Sequence, residues 1–118
     1  MKSYTDIEQS KKLAEILPLE SADMFYRDNG EDVKLMWEHI AQKVTNPCWS
    51  LAALLEQIPS DLGSKTLTIE KDDSEPLKYG LNYHDTWGRD DEIQTKYYDD
   101  LINACYEMII KLHELNLL

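Results

Sequence analysis

The sequence predicts an α+β fold: three helices packed on a small antiparallel sheet of about four strands, in the order α-ββ-α-ββ-α. Three observations carry this. An apolar row stepping by three and four runs through the last quarter of the chain, as a packed helix requires. Thr66-Leu67-Thr68-Ile69-Glu70 and the segment Lys78–His84 alternate with period two, as half-buried strands do. Asn29-Gly30 sits between apolar segments, and both residues tolerate positive φ, which marks a hairpin.

The first helix opens at Thr5, with Glu8 completing a capping-box pattern and Asp6 adding negative charge to the first turn. Ile7, Leu13, Ala14, Ile16 and Leu17 form its apolar face, and Pro18 stops it. Met24-Phe25-Tyr26-Arg27 is the first strand, and Val33–Glu38 returns beside it after the Asn29-Gly30 turn. Residues 33–44 carry a rival pattern, since Val33, Met36, Trp37, Ile40, Ala41 and Val44 recur at helical spacing. The hairpin is the reading taken.

Asn46-Pro47 is expected to open the second helix, because Asn caps well and Pro suits the first helical position. Leu51, Ala52, Leu54, Leu55 and Ile58 would line its buried side up to Pro59. Ser60-Asp61-Leu62-Gly63 reads as a turn, and the two alternating segments after it as a second hairpin. The last helix is expected from Asp90 or Asp91 to about Leu115. Its apolar rows are Ile93, Tyr97, Leu101, Ala104, Met108, Leu112 and Leu115, with Tyr98, Ile102, Cys105 and Ile109 beside them. At that length it spans on the order of 36 Å and crosses the whole body, or offers an apolar face to a second copy. The expected core is Ile16, Leu17, Phe25, Trp49, Leu51, Leu54, Leu55, Leu67, Ile69, Leu81, Leu101, Ala104, Met108, Ile109 and Leu112.

The chain has 118 residues, a size that fits one domain over 1–118. With 42% hydrophobic and 30% charged residues, its composition is that of a folded chain and not a disordered one. Three Trp and seven Tyr against one Phe favour large side chains whose polar end finds a partner. Cys48 and Cys105 are too few and too far apart for a disulfide scaffold, which points to a reducing, cytoplasmic setting. The N-terminal residues lack the apolar run of a signal peptide, and no apolar run is long enough to span a membrane.

The formal net charge is −11, and the acids are clustered at 70–75 and 85–100. Such a charge repels phosphates, so direct nucleic-acid binding is disfavoured and a solvated acidic surface is the plain reading. His39, His84 and His113 have no ligand spacing with one another or with a Cys, so no metal is expected. A buried Cys behaves as an inert hydrophobe. No glycine-rich phosphate loop, nucleophile elbow or zinc-protease motif is present, so no cofactor is expected and a non-enzyme is favoured. Tyr83-His84-Asp85-Thr86-Trp87-Gly88-Arg89 stands out as a loop entering a helix. It places Tyr83, His84, Asp85, Trp87 and Arg89 together as candidate ligand-binding residues, with Arg89 and helix N–H groups suited to an anion. The plainer alternative makes Trp87 a lid on the core and Asp85 or Asp90 a helix cap.

Ser10–Met24, Pro47–Pro59 and Met108–Leu118 resemble a group of short proteins from Bacteroides-type gut bacteria and their mobile elements or phages. The group has no assigned activity. The resemblance implies a bacterial or phage intracellular origin and strands after Asn29-Gly30, and carries over no functional residue. The functional expectation is a non-enzymatic acidic module that binds a protein partner, with a nucleic-acid-mimicking decoy as a special case. The alternative is a small-molecule or anion-binding domain, or a weak enzyme, using the loop 83–89. A homodimer through the C-terminal helix is the oligomer that the apolar rows suggest.

Overall fold

The hydroxyl and backbone of Thr5 tie together segments more than forty residues apart in the computed structural model, which describes residues 2–27, 32–35, 46–85 and 93–118. The fold is α+β, and the chain divides into two compact units, residues 2–57 and 58–118. The order of elements follows the expected one, with the strands divided between two three-stranded antiparallel sheets instead of one.

In the first unit, helix α1 spans Ile7–Ala14. Its cap is Asp6, one residue later than the Thr5 pattern suggests. The Gln9 N–H donates to Asp6 Oδ1 (2.8 Å) and the Asp6 N–H donates to Gln9 Oε1 (3.1 Å), which completes a capping box. Thr5 is already committed elsewhere. It is fully buried, its Oγ1 accepts the Trp49 N–H (3.1 Å), and its own N–H donates to the Trp49 carbonyl (3.0 Å). Ser10 Oγ lies 2.7 Å from the same hydroxyl, and the Thr5 carbonyl accepts from the Tyr26 hydroxyl (2.5 Å) and the Cys48 thiol (3.4 Å). Leu13 and Leu17 are buried; Pro18 then leads into a 3-10 turn, Leu19–Ser21.

Strand β1 is Met24–Arg27 and pairs with β2, Asp32–Leu35, in the register Arg27↔Asp32 to Met24↔Leu35. The two strands are antiparallel, as expected, as far as Leu35; the Asn29-Gly30 turn, and residues 36–45 with the rest of the helical alternative, lie outside the described residues. Asn46-Pro47 does not open a helix. Pro47–Cys48 is a short strand, β3, on the other side of β1, with Phe25↔Pro47 and Met24↔Cys48 paired. A proline fits there because β3 is an edge, where a missing N–H breaks no ladder. Helix α2 starts four residues later, at Leu51–Gln57. Its cap is Ser50, whose carbonyl accepts the Leu54 N–H (3.0 Å) and whose Oγ accepts the Ala53 N–H (3.2 Å). Asp23 holds Ser50 in place, taking its N–H (2.9 Å) and its hydroxyl on the two carboxylate oxygens.

In the second unit, β4 (Asp61–Leu62), β5 (Lys65–Asp72) and β6 (Lys78–Asp85) form a sheet in that order. The expected 60–63 turn is thus a turn with a strand in it. β4 and β5 meet through Gly63-Ser64, and Gly63 supplies the positive φ (67°) that a two-residue hairpin of this hand needs. β5 and β6 pair from Lys65↔Asp85 to Asp72↔Lys78.

The last helix is shorter than its periodicity suggests. α3 spans Leu101–Glu114, 14 residues and roughly 21 Å. Asp100 is its cap, accepting the Asn103 N–H (2.9 Å). Residues 93–98 instead run extended beside β6, with bridges Asn82↔Gln94 and Tyr79↔Tyr98. Thr95, Tyr97 and Tyr98 are β-branched or aromatic, and pairing with β6 uses that preference. Ile102, Ala104, Cys105, Met108, Ile109 and Leu112 are buried, while Leu101 is half-buried and Leu115, just past the helix, is exposed. The expected core holds at Leu17, Trp49, Leu54, Leu81, Ala104, Met108, Ile109 and Leu112, but Ile69 is 50% exposed.

Removing the Thr5 hydroxyl while keeping its shape tests this arrangement. Thr5→Val leaves the buried Trp49 N–H without its acceptor and should cost about 1–3 kcal/mol in chemical denaturation. A change within about 0.5 kcal/mol would show that Thr5 does not tie these segments together.

Candidate binding site

The residues singled out in 83–89 do not share one surface. Tyr83 is fully buried, and its hydroxyl donates to the Pro59 carbonyl (2.6 Å). Burial, with the Asp61 charge second, pushes its phenol up to about 12. His84 is the next residue along β6, so its side chain lies on the opposite face, where it is exposed. Its Nε2 lies 3.4 Å from Asn82 Nδ2. Asp85 ends the strand, half-buried and opposite Lys65. Trp87 and Arg89 lie outside the described residues.

Cys48 and Cys105 are fully buried, and burial raises both thiols, that of Cys105 to about 12. Among the described residues no three His, Cys, Asp or Glu side chains come together as a metal site. Described residues of the first unit line at least two clefts. One of about 150 Å³ is lined by residues including Ile7, Ser10, Lys11 and Tyr26, and is small for an organic ligand. Another, of about 460 Å³, is a groove bordered by Glu20, Asp23 and Glu56.

The second sheet offers a more specific arrangement. β6 is paired on both sides. The N–H groups of Tyr79 and Tyr83 donate to the carbonyls of Tyr98 (2.7 Å) and Ile93 (3.0 Å), and the Leu81 N–H donates to Thr95 Oγ1 (2.9 Å). The odd-numbered residues of β6 therefore point their backbone away from β5, and the even-numbered ones towards it. By the same alternation, Thr68 and Glu70 of β5 face β6, while Leu67, Ile69 and Lys71 face outward. The Leu67 N–H meets the Ser60 carbonyl at the start of β4 (2.9 Å). β4 stops there, and no described residue meets the backbone N–H or carbonyl of Ile69 or Lys71. Among the described residues this edge of the sheet has no partner strand beyond β4, and such an edge can take up another strand.

The two faces beside that edge differ. On one, α3 lies against β6 and leaves β5 partly uncovered, so Leu67 is half-buried and Ile69 half-exposed. On the other, Thr68, Glu70 and Asp72 alternate, and Tyr97 lies across the sheet. Gly80 makes room for it: a Cβ there would come 3.2 Å from the Tyr97 ring. The Tyr97 hydroxyl donates to Glu70 Oε2 (3.0 Å) and Asn82 Nδ2 donates to Glu70 Oε1 (3.1 Å), which fixes the Glu70 carboxylate on this face of the sheet, drawn toward β6. The hydrogen bond to Glu70 raises the Tyr97 phenol above its ordinary value. Asp72 is held in turn by the Ser74 N–H (3.0 Å) and hydroxyl (2.8 Å), which keep its carboxyl below the usual range.

The sequence marks Thr66–Glu70 as a strand but places Leu67 and Ile69 in the core, where the structure leaves Ile69 half exposed. The one signal for the edge is the shortness of Asp61-Leu62 against the long alternation it pairs with.

The buried phenols set an alkaline limit on the second unit. Burial, helped by a hydrogen bond to Glu107 Oε1 (2.6 Å), also raises Tyr98 to about 12. Between about pH 10 and pH 12 the unfolded chain releases protons that the folded chain keeps, so stability is full below about pH 10 and falls above it. Denaturant midpoints should drop on raising pH from about 9 to about 11, and drop less in the Tyr83→Phe/Tyr98→Phe double variant; equal drops would contradict the assignment. No protein-family model, curated protein or solved structure matches this chain.

Proposed function

We propose that the chain is a non-enzymatic interaction module that takes up an extended segment of a partner protein along the outer edge of β5. The observation that carries this reading is the pair Ile69 and Lys71. Their backbone groups point outward with no described partner, and the Ile69 side chain beside them is 50% exposed. A strand added there gains main-chain hydrogen bonds for affinity and alternate side-chain contacts for selection, as strand-adding recognition domains do. The buried, raised thiols and the engaged Tyr83 hydroxyl favour binding over covalent chemistry. The net charge of −11 favours a protein partner over a nucleic acid. Six apolar residues of α3, from Ile102 to Leu112, are buried within the chain, which leaves that helix less apolar surface to offer than its spacing suggests.

A proline at an outward position separates pairing from folding. Lys71→Pro removes an N–H that points away from β6, so the sheet should keep its ladder. Peptides selected on the full chain from a random phage-displayed library should lose binding to Lys71→Pro and keep it to Lys71→Ala. Selected peptides that bind Lys71→Pro as well as the native chain would contradict the reading.

A further inference from the structure

We infer that the segment taken up along β5 alternates basic and apolar side chains; this rests on the strand-addition reading above. An added strand places its side chains in step with those of its neighbour, on the same two faces. One face of β5 beside the free edge presents Thr68, Glu70 and Asp72. Both carboxylates are oriented before any partner arrives, Glu70 by Tyr97 and Asn82, Asp72 by Ser74. Lys78 stands opposite Asp72 on that face, so the negative charge there centres on Glu70, and long Lys or Arg side chains of the incoming strand match it. The other face presents Leu67 and the half-exposed Ile69, which apolar side chains cover. Lys71 follows on that face, and its Nζ lies 3.9 Å from Asp73 Oδ1, so its charge has a carboxylate beside it.

A second copy of this chain fits less well. β4 holds the edge as far as Leu67. A two-fold antiparallel pairing that uses both Ile69 and Lys71 is then centred on Glu70. It sets Glu70 against its own copy, and like charges directly opposite destabilise a strand pair. The net charge of −11 opposes self-association further and speeds encounter with a basic segment.

The test titrates the full chain with four synthetic heptapeptides, read by amide chemical shifts. One alternates lysine and valine, one glutamate and valine, one threonine and valine, and one has the lysines and valines in separate blocks. The alternating lysine peptide should bind tightest, shifting the amides of Ile69 and Lys71. Its affinity should fall roughly three- to tenfold in Glu70→Gln/Asp72→Asn, the worth of two cross-strand charge pairs. Binding should be lost in Lys71→Pro, although that variant is more acidic and general electrostatics would strengthen it. Equal or tighter binding of the threonine or glutamate peptide, still lost in Lys71→Pro, would overturn the basic partner and leave strand addition standing. Equal binding of the blocked peptide, unaffected by Lys71→Pro, would overturn the inference as non-specific attraction. If no alternating peptide shifts Ile69 or Lys71, both the inference and the strand-addition reading fall.

Discussion

β6 has backbone partners on both sides, and the form of the second unit follows from that. Its even-numbered residues face β5, and its odd-numbered residues are taken by the extended segment 93–98. A strand paired on both sides is the natural floor for α3, which lies over it. β5 is then left as the margin. One of its edges is joined to β6 and the other is covered only where β4 reaches. The exposure of Ile69 follows from this position, since its cross-strand partner Leu81 is buried while Ile69 lies one strand further from α3. Gly80 contributes to the same layout. The space above it lets Tyr97 lie on the sheet and reach Glu70, so that a side chain from the 93–98 segment orients a carboxylate of β5.

The first unit is organised around Thr5, whose three polar groups all have buried partners. A small β-branched residue suits the position, because the hydroxyl must reach the Trp49 N–H and Ser10 while the backbone pairs with Trp49. Cys48 fits the same network as a weak thiol donor, and burial raises its thiol. Asp23 does a related job at α2. It positions Ser50, which in turn satisfies the first N–H groups of the helix.

Local chemistry made much of this fold legible. The alternation in Thr66–Glu70 and Lys78–His84 reports strands because it is a property of consecutive residues, and the strands found, Lys65–Asp72 and Lys78–Asp85, extend it; Met24–Arg27 is read as a strand for the same reason. The misreadings share one cause: the deciding partner is distant in sequence. Thr5 looks like a cap until Trp49 claims its hydroxyl, which moves the cap to Asp6. Asn46-Pro47 looks like a helix start until β1 pairs with it. Ile93 and Tyr97 fit the helical row of α3, but β6 offers their segment a ladder and Asp100 caps the helix after it. Of the candidate site, alternation within β6 already implies that Tyr83 and His84 face opposite ways. The open edge was not legible, because whether β5 is central or marginal depends on how far β4 extends.

Outward and inward backbone groups alternate along β5, and those of Ile69 and Lys71 point outward with no partner among the described residues. Residue-resolved amide hydrogen exchange on the isolated full chain measures this directly. Thr68 and Glu70 should be protected and Ile69 and Lys71 should exchange close to the rate of an open chain, giving a two-residue period of protection along one strand. Uniform protection of all four amides would mean that the edge of β5 is already covered, and the account of this surface would be wrong.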